Sequence, residues 1–316
     1  MSFLIQPDVP LKGKSWFKTG GPAKWFCEPH SPEEFQQALR FASQHELEIF
    51  ILGQGANILI ADQGFDGLVI RPKLQNRSII PINRTQSLVT VDAGTDMNAL
   101  IEYCLDNNLL GLEEFSGIPG TVGGSVYINL HYFEFLLEQF LVEAQIIHKK
   151  TGQIETVDTK WFHFGYNQST LHKKEQYLLS ATFLLQKATD QDVMYARGRR
   201  NEIIRHRKAR YPYSHTCGSF FRNFYPEEVS ILSNGKKAIW VAYYLDKIGV
   251  KGQLQKGDAV VSYQHANMLV NQGNATTHDI ITVAKEMQQL VQKNFGIIPQ
   301  PECQLIGFKK YPLIKK

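Results

Sequence analysis

The sequence predicts an α+β protein built as three consecutive blocks. Three observations carry this reading: a helix–strand–glycine turn–strand unit near the start, a run of strand-like segments through the middle, and two long helices after Gln186. The chain shows no internal repeat and no low-complexity tract, so repeat architectures are excluded.

The first unit is "HSPEEFQQALRFASQHELEIFILGQGANILI". Ser31 suits a helix N-cap, Pro32 its first turn, and Glu34 the acidic position of a capping box. Phe35, Ala38, Leu39 and Ala42 then recur at helical spacing, and the helix ends near His45. "EIFIL" follows as a strand, "GQGAN" as a turn and "ILIA" as a second strand. "GQGANI" has no third glycine and leads into β-rich sequence, which excludes the usual dinucleotide βαβ unit. Further on, "LVIRP" and "SLVTVDAG" read as strands, and residues between Asp96 and Asn108 as a helix. "LVEAQIIHKKTGQIETV" reads as a hairpin turning at Thr151-Gly152, and "YLLSATFLLQ" as the strand that closes the block. "SVYINL", after the glycines at 117–124, also reads as β-rich. Past Gln186 comes a strongly basic helix stopped by Pro212, then "AIWVAYYLDKIG" and "TTHDIITVAKEMQQLVQKNFG" as helices.

Apolar residues make up 43% of the 316 and charged residues 20%, the balance of a soluble globular protein. A net charge of +4 is too mild to argue for nucleic acid but suits an anionic small molecule. Cys27, Cys104, Cys217 and Cys303 form no C-x-x-C pair, which points away from a zinc site or a disulfide framework and toward thiols in a reducing compartment. The N-terminal segment lacks a secretory pattern and no apolar run is long enough to span a bilayer. A cytoplasmic protein without a metal is expected.

Two loops stand out. "SGIPGTVGGS" holds four glycines and no charge, and "LGQGANILI" places Gly53, Gln54, Gly55, Ala56 and Asn57 between two strands. Either can be an ordinary structural turn. Two glycine-dense, uncharged loops flanked by apolar segments also offer many backbone N–H groups at close range, as a pyrophosphate requires.

The chain resembles the UDP-N-acetylenolpyruvoylglucosamine reductases. The matching stretches are "FKTGGPA", "LGQGANILI", "GIPGTVGGSVYIN", "FGY", "CGSFFRN", "HANMLVN" and "PECQLIG", in the family's order across nearly the whole chain. The resemblance implies an α+β, FAD-binding fold of the vanillyl-alcohol-oxidase/PCMH type with two α/β subdomains, plus a C-terminal α/β substrate-binding domain. The expected bounds are 1–71 joined by 301–316 for the first FAD-binding subdomain, 72–186 for the second, and 187–300 for the substrate-binding domain. It further implies non-covalent FAD, NADPH as reductant, a UDP-sugar substrate and a monomer that binds neither nucleic acid nor membrane. The implied cofactor contacts are Gly53 to Asn57 together with Gly117, Ile118, Pro119, Gly120, Thr121, Gly123 and Gly124. Ser219 matches the serine that protonates the substrate carbon, and Glu302 the acid assisting there. Tyr166, Arg222, Asn223 and Tyr225 are the expected substrate contacts. Unaided, Ser219 reads better as a turn hydroxyl and Glu302 as a solvated acid near the C-terminus.

Two departures accompany the resemblance. Asn167 stands where the family usually carries an arginine that stabilises developing negative charge, and "LHYFEF" replaces small residues after Asn129. A missing stabilising donor commonly costs about two to three orders of magnitude in rate. Candidate replacement cations are Arg197, Arg199, Arg200, Arg205, Arg207, Arg210 and Arg222, most of them expected on a solvated helix face. The departures leave two rivals to the reductase: a catalytically impaired flavin-binding homologue with a regulatory or complex-forming role, and another oxidase of the same fold. His131 and Cys217 are weighed as covalent flavin anchors and set aside. His265 is expected to be a structural hydrogen-bonding residue.

Overall fold

The computed structural model describes residues 3–315; the expected bounds at 1 and 316 lie outside the described residues. The chain forms two compact units. One comprises the residues up to Pro7, Trp25–Gln54 and Gly67–Arg207; the other comprises Asp8–Lys24, Gly55–Asp66 and the residues from Lys208 on.

In the first unit, α1 (Pro32–Gln44) has the expected cap, Ser31 Oγ accepting the Glu34 amide at 3.3 Å, but the capping box is not closed: the Glu34 carboxylate accepts the His30 amide at 2.7 Å, not that of Ser31. Phe35, Ala38, Leu39 and Ala42 are its buried face. Strand Glu48–Ile51 pairs in parallel with Gly67–Ile70. The larger sheet is antiparallel, in the order Ile154–Asp158, Leu141–His148, Gln176–Lys187, Gln86–Asp92, Arg77–Pro81, with Leu109–Leu110 also pairing Gln176–Lys187. Its central strand Gln176–Lys187 is buried along most of its length, as expected for the continuous apolar run "YLLSATFLL". α2 (Met97–Asp106) packs Met97, Leu100, Ile101, Cys104 and Leu105 into the same core as Val89, Val91, Ala181 and Phe183.

The β-rich reading of "SVYINL" is corrected here. Val122–Tyr127 is a short helix, α3, capped by Thr121, whose Oγ1 accepts the Gly124 amide at 3.2 Å. A short apolar run fits a buried helical turn as well as a strand, and the cap decides between them. The basic segment forms α4 (Asp190–Arg210). Arg199, Arg205 and Arg210 are exposed as expected, but part of this face is also braced against acids elsewhere in the unit. Arg197 pairs with Glu102 at 2.9 Å and with Asp106 at 2.5 Å; Arg200 pairs with Glu102 at 3.0 Å, and Arg199 with Glu114 at 2.9 Å.

In the second unit, α5 (Val241–Ile248) and α6 (Thr277–Phe295) pack around Phe220, Phe221, Tyr244, Ile280, Ala284 and Met287. "AIWVAYYLDKIG" therefore turns helical only from Val241. Ile58–Ile60 pairs in parallel with Gln304–Ile306, and Ala259–Val261 lies between Gln255–Lys256 and Leu269–Asn271. Asp62 receives the amides of Thr277 and His278, both at 2.9 Å, which satisfies two orphan donors at the start of α6. Among the described residues no helix is long and apolar enough to cross a membrane, and no group of three or more metal-ligating side chains exists. All four cysteines are free and buried.

His265 has the structural role expected of it: its Nδ1 lies 3.3 Å from the Asn267 amide as acceptor. Burial, then the charge of Arg210, pushes its pKa down to about 4, with Asp246 opposing and Lys251 adding to the depression. The unfolded chain thus takes up a proton near pH 6.5 that the folded chain refuses until about pH 4. His265 should make stability fall as pH drops from about 6.5 to 4. Thermal melts across that window should show a shallower slope for His265→Gln than for the parent chain.

Candidate active site

The two glycine loops differ in what they leave open. Among the described residues, the amides of Gly53, Gln54, Gly55, Ala56 and Asn57 have no protein partner. Gly55 takes a left-handed φ of 71°, and a Cβ there would lie 2.5 Å from the Lys14 carbonyl oxygen. In the loop 117–124 most amides are used internally. Gly117 donates to Asn98 Oδ1 at 2.7 Å, Ile118 to the Phe115 carbonyl at 3.3 Å, Val122 to Thr95 at 2.9 Å, and Gly123 to Ala93 at 2.8 Å. Pro119 has no donor. Only Gly120 and Thr121 keep unpartnered amides among the described residues of that run. A Cβ on Gly120 would meet nothing closer than Ser125 Oγ at 3.8 Å, so space adjoins the open pair.

The first unit brings part of both loops together. A Cβ on Gly53 would stand 2.7 Å from Thr121 Oγ1, so that glycine is required by loop-on-loop packing. Gln54 donates to Asp96 Oδ2, while Asp96 Oδ1 caps α2 through the Ala99 amide at 2.7 Å. Asn98 fastens the glycine loop at two points, since its Nδ2 also donates to the Ile118 carbonyl at 2.9 Å. Arg207 reaches the same loop, its Nε donating to the Gly117 carbonyl at 3.2 Å. Neither Asp96 nor Asn98 was singled out in the sequence. Their signal was faint: two polar residues opening an amphipathic helix just after a strand.

Tyr166 and Asn167 form the tip of a tight turn in this unit, closed by two backbone hydrogen bonds between Gly165 and Gln168 at 3.1 and 3.2 Å. Asn167 has a left-handed φ of 53°. The Tyr166 ring lies 5.1 Å from that of His131. In the bulky "LHYFEF" segment, His131–Tyr132 and Phe135–Leu136 form a small hairpin with Phe133 at its tip, 69% exposed. Arg207 lies over the Tyr132 ring at 5.8 Å.

The second unit positions Ser219 and Glu302 on neighbouring backbone. The Phe220 amide donates to the Asn267 carbonyl at 2.8 Å, and the Phe220 carbonyl accepts the amides of Glu302 and Cys303 at 2.9 and 3.2 Å. Arg222 in turn donates its amide to Gln300 at 2.9 Å. Residues 219–222 therefore run between the segments 267–268 and 300–303, with the buried rings of Phe220 and Phe221 as anchors. Buried Asn267 locks the arrangement: its Oδ1 accepts the Phe221 amide at 3.1 Å and its Nδ2 donates to the Phe221 carbonyl at 2.7 Å. The sequence offered "HANMLVN" as a match without a role for this asparagine.

Arg222, Asn223 and Tyr225 gather around Glu228, another residue not foreseen. The Arg222 guanidinium is bidentate to that carboxylate at 2.7 and 3.0 Å, donates to the Asn223 carbonyl at 2.9 Å, and lies over the Tyr225 ring at 4.3 Å. Its charge is therefore already countered by a side chain only 9% exposed.

Two family models match: "FAD binding domain" over residues 23–158 and "UDP-N-acetylenolpyruvoylglucosamine reductase, C-terminal domain" over residues 210–306. Relatives bearing the name UDP-N-acetylenolpyruvoylglucosamine reductase include one from Acaryochloris marina, 33% identical over 98% of this chain and 94% of that protein. Another, from Lachnoclostridium phytofermentans, is 30% identical over 96% of this chain and 93% of that protein. The solved enzyme of that kind from Thermus caldophilus superposes with a TM-score of 0.75 at 25% identity, over 96% of this chain and all of the other. The expected FAD-binding fold with an added C-terminal domain agrees with these matches. With full-length identity of this order, the chain belongs to the UDP-N-acetylenolpyruvoylglucosamine reductase family.

Proposed function

We propose that the chain reduces UDP-N-acetylglucosamine enolpyruvate to UDP-N-acetylmuramate, a step in peptidoglycan precursor synthesis, using NADPH and a non-covalently held FAD. The observation that carries the reading is the shared backbone node at Phe220, which sets Ser219 beside the segment bearing Glu302, in a chain that aligns with the family end to end. The residues present fit the cofactor. Five successive open amides at Gly53–Asn57, and the open pair at Gly120 and Thr121, are donors of the kind a diphosphate takes up. The buried Asn57 Oδ1 and Thr95 Oγ1 lack partners among the described residues and add polar capacity at the same loops.

Flavin held there, once reduced by NADPH, would supply the hydride that adds to the β-carbon of the enol ether. The chain's own residues handle the charge and the proton. Ser219 gives its hydroxyl proton to the adjacent carbon, and Glu302 assists at that centre. The Asn267 clamp holds Ser219 on rigid backbone, so the hydroxyl is preorganised. Tyr166, Arg222, Asn223 and Tyr225 contact the UDP-sugar, with Glu228 fixing the arginine's plane. Asn167 brings hydrogen bonds where the family has a cation. Of the arginines weighed as replacements, Arg197, Arg199, Arg200 and Arg222 are committed to carboxylates, and so is Arg205, to Glu202 at 2.6 Å. Arg207 stands at the glycine loop instead. The protein works as a cytoplasmic monomer on a small molecule, without nucleic acid or membrane.

Purified protein mixed with NADPH and the enolpyruvyl UDP-sugar should show substrate-dependent loss of nucleotide absorbance; none would reject the assignment. Ser219→Ala should lower turnover by about two to four orders of magnitude while NADPH still bleaches the flavin at the parent rate. Gly53→Ala forces a methyl against Thr121 Oγ1. It should cost about 1–3 kcal/mol of stability and loosen FAD, read by melting and by flavin retained on dialysis.

A further inference from the structure

Asn167 carries an unusual debt of unmade hydrogen bonds. Its Oδ1 and Nδ2 are both shielded from solvent, and neither has a partner among the described residues. Thr19, Asn57, Thr95, Tyr177 and Arg200 each leave only one such atom unpaired. A buried polar group without a partner is costly and calls for an explanation. The backbone does not provide one. At φ 53° glycine would serve equally well and would bury no polar atom. The turn is also held firmly: besides the Gly165–Gln168 bonds, Ser169 Oγ donates to the Tyr127 carbonyl at 2.7 Å, tying it to the end of α3, the helix that starts on the glycine loop.

We propose that Asn167 recognises an amide-like edge on a bound ligand, a hydrogen-bond acceptor beside a donor, making one bond through each carboxamide atom. A carboxylate would satisfy Nδ2 but set an anion against Oδ1; an amide or imide edge satisfies both. The inference rests on the reductase reading, which supplies two sources of this chemistry. One is the imide edge of the flavin ring; the other is the uracil or acetamido group of the UDP-sugar. Asn167 is on this account a reader of neutral polar groups, and its contribution is binding and alignment.

The test uses the full chain and two variants. Asn167→Gly keeps the left-handed backbone and removes both polar atoms; Asn167→Asp keeps the shape and exchanges the donor for an acceptor. FAD is titrated into protein stripped of flavin, and the enolpyruvyl UDP-sugar into flavin-loaded protein, with binding followed by flavin fluorescence and absorbance. Both variants should weaken one of the two ligands about tenfold or more, which identifies the source. The unliganded Gly variant should melt no lower than the parent. Affinities for both ligands within twofold of the parent would overturn the inference, leaving the amide to a trapped water, while the reductase reading stands. A Gly variant that melts well below the parent would assign a structural role and overturn it too. A parent chain that takes up no flavin would overturn both.

Discussion

Backbone polar groups removed from water must be paired, and in this chain the pairing decides which ones remain for a ligand. Residues 93–98 take up three donors of the second glycine loop, through Ala93, Thr95 and Asn98, and Phe115 and Thr121 take up two more. What remains is two amides there and five in the loop at Gly53–Asn57. The glycines thus serve two different ends. Gly53 lets one loop lie against Thr121, whereas Gly120 borders space. A loop can be rich in glycine because its own neighbours crowd it, and only the bookkeeping of donors separates that case from a site.

The same constraint shapes the region of Ser219. One carbonyl, that of Phe220, accepts two amides from the Glu302–Cys303 segment, and one buried asparagine satisfies both polar groups of Phe221. Two phenylalanines that are fully buried hold the segment down, so the small residue between Gly218 and Phe220 cannot wander. Rigidity of this kind is what a hydroxyl needs if it is to act as an acid.

Much of the fold was legible because the decisive signals were local. Ser31, Pro32 and Glu34 announced α1; strand-like runs either side of Thr151-Gly152 announced the hairpin; the apolar run at 177–185 announced the buried central strand. "SVYINL" was misread because six apolar-rich residues carry no period, and the deciding bond comes from Thr121, one residue before α3 begins. The site was legible only as motifs. Asp96, Asn98, Glu228 and Asn267 act across 42, 19, 6 and 46 residues of sequence, and no spacing rule reveals such partners. The arginines of α4 were visible as a charge run, but their acids on α2 and at Glu114 were not, so a structural brace looked like a solvated face.

Every thiol of the molecule is enclosed. Burial holds those of Cys27 and Cys104 up at about 12, and drives that of Cys303 well above the ordinary range with neighbouring Cys217 adding to the effect. Thiolates are the species that alkylating reagents attack, and burial of all four sulfurs should keep maleimides from them in the native protein. A lone cysteine introduced on the exposed side of α4 would then accept a fluorophore at one place only, with no need to strip the native four.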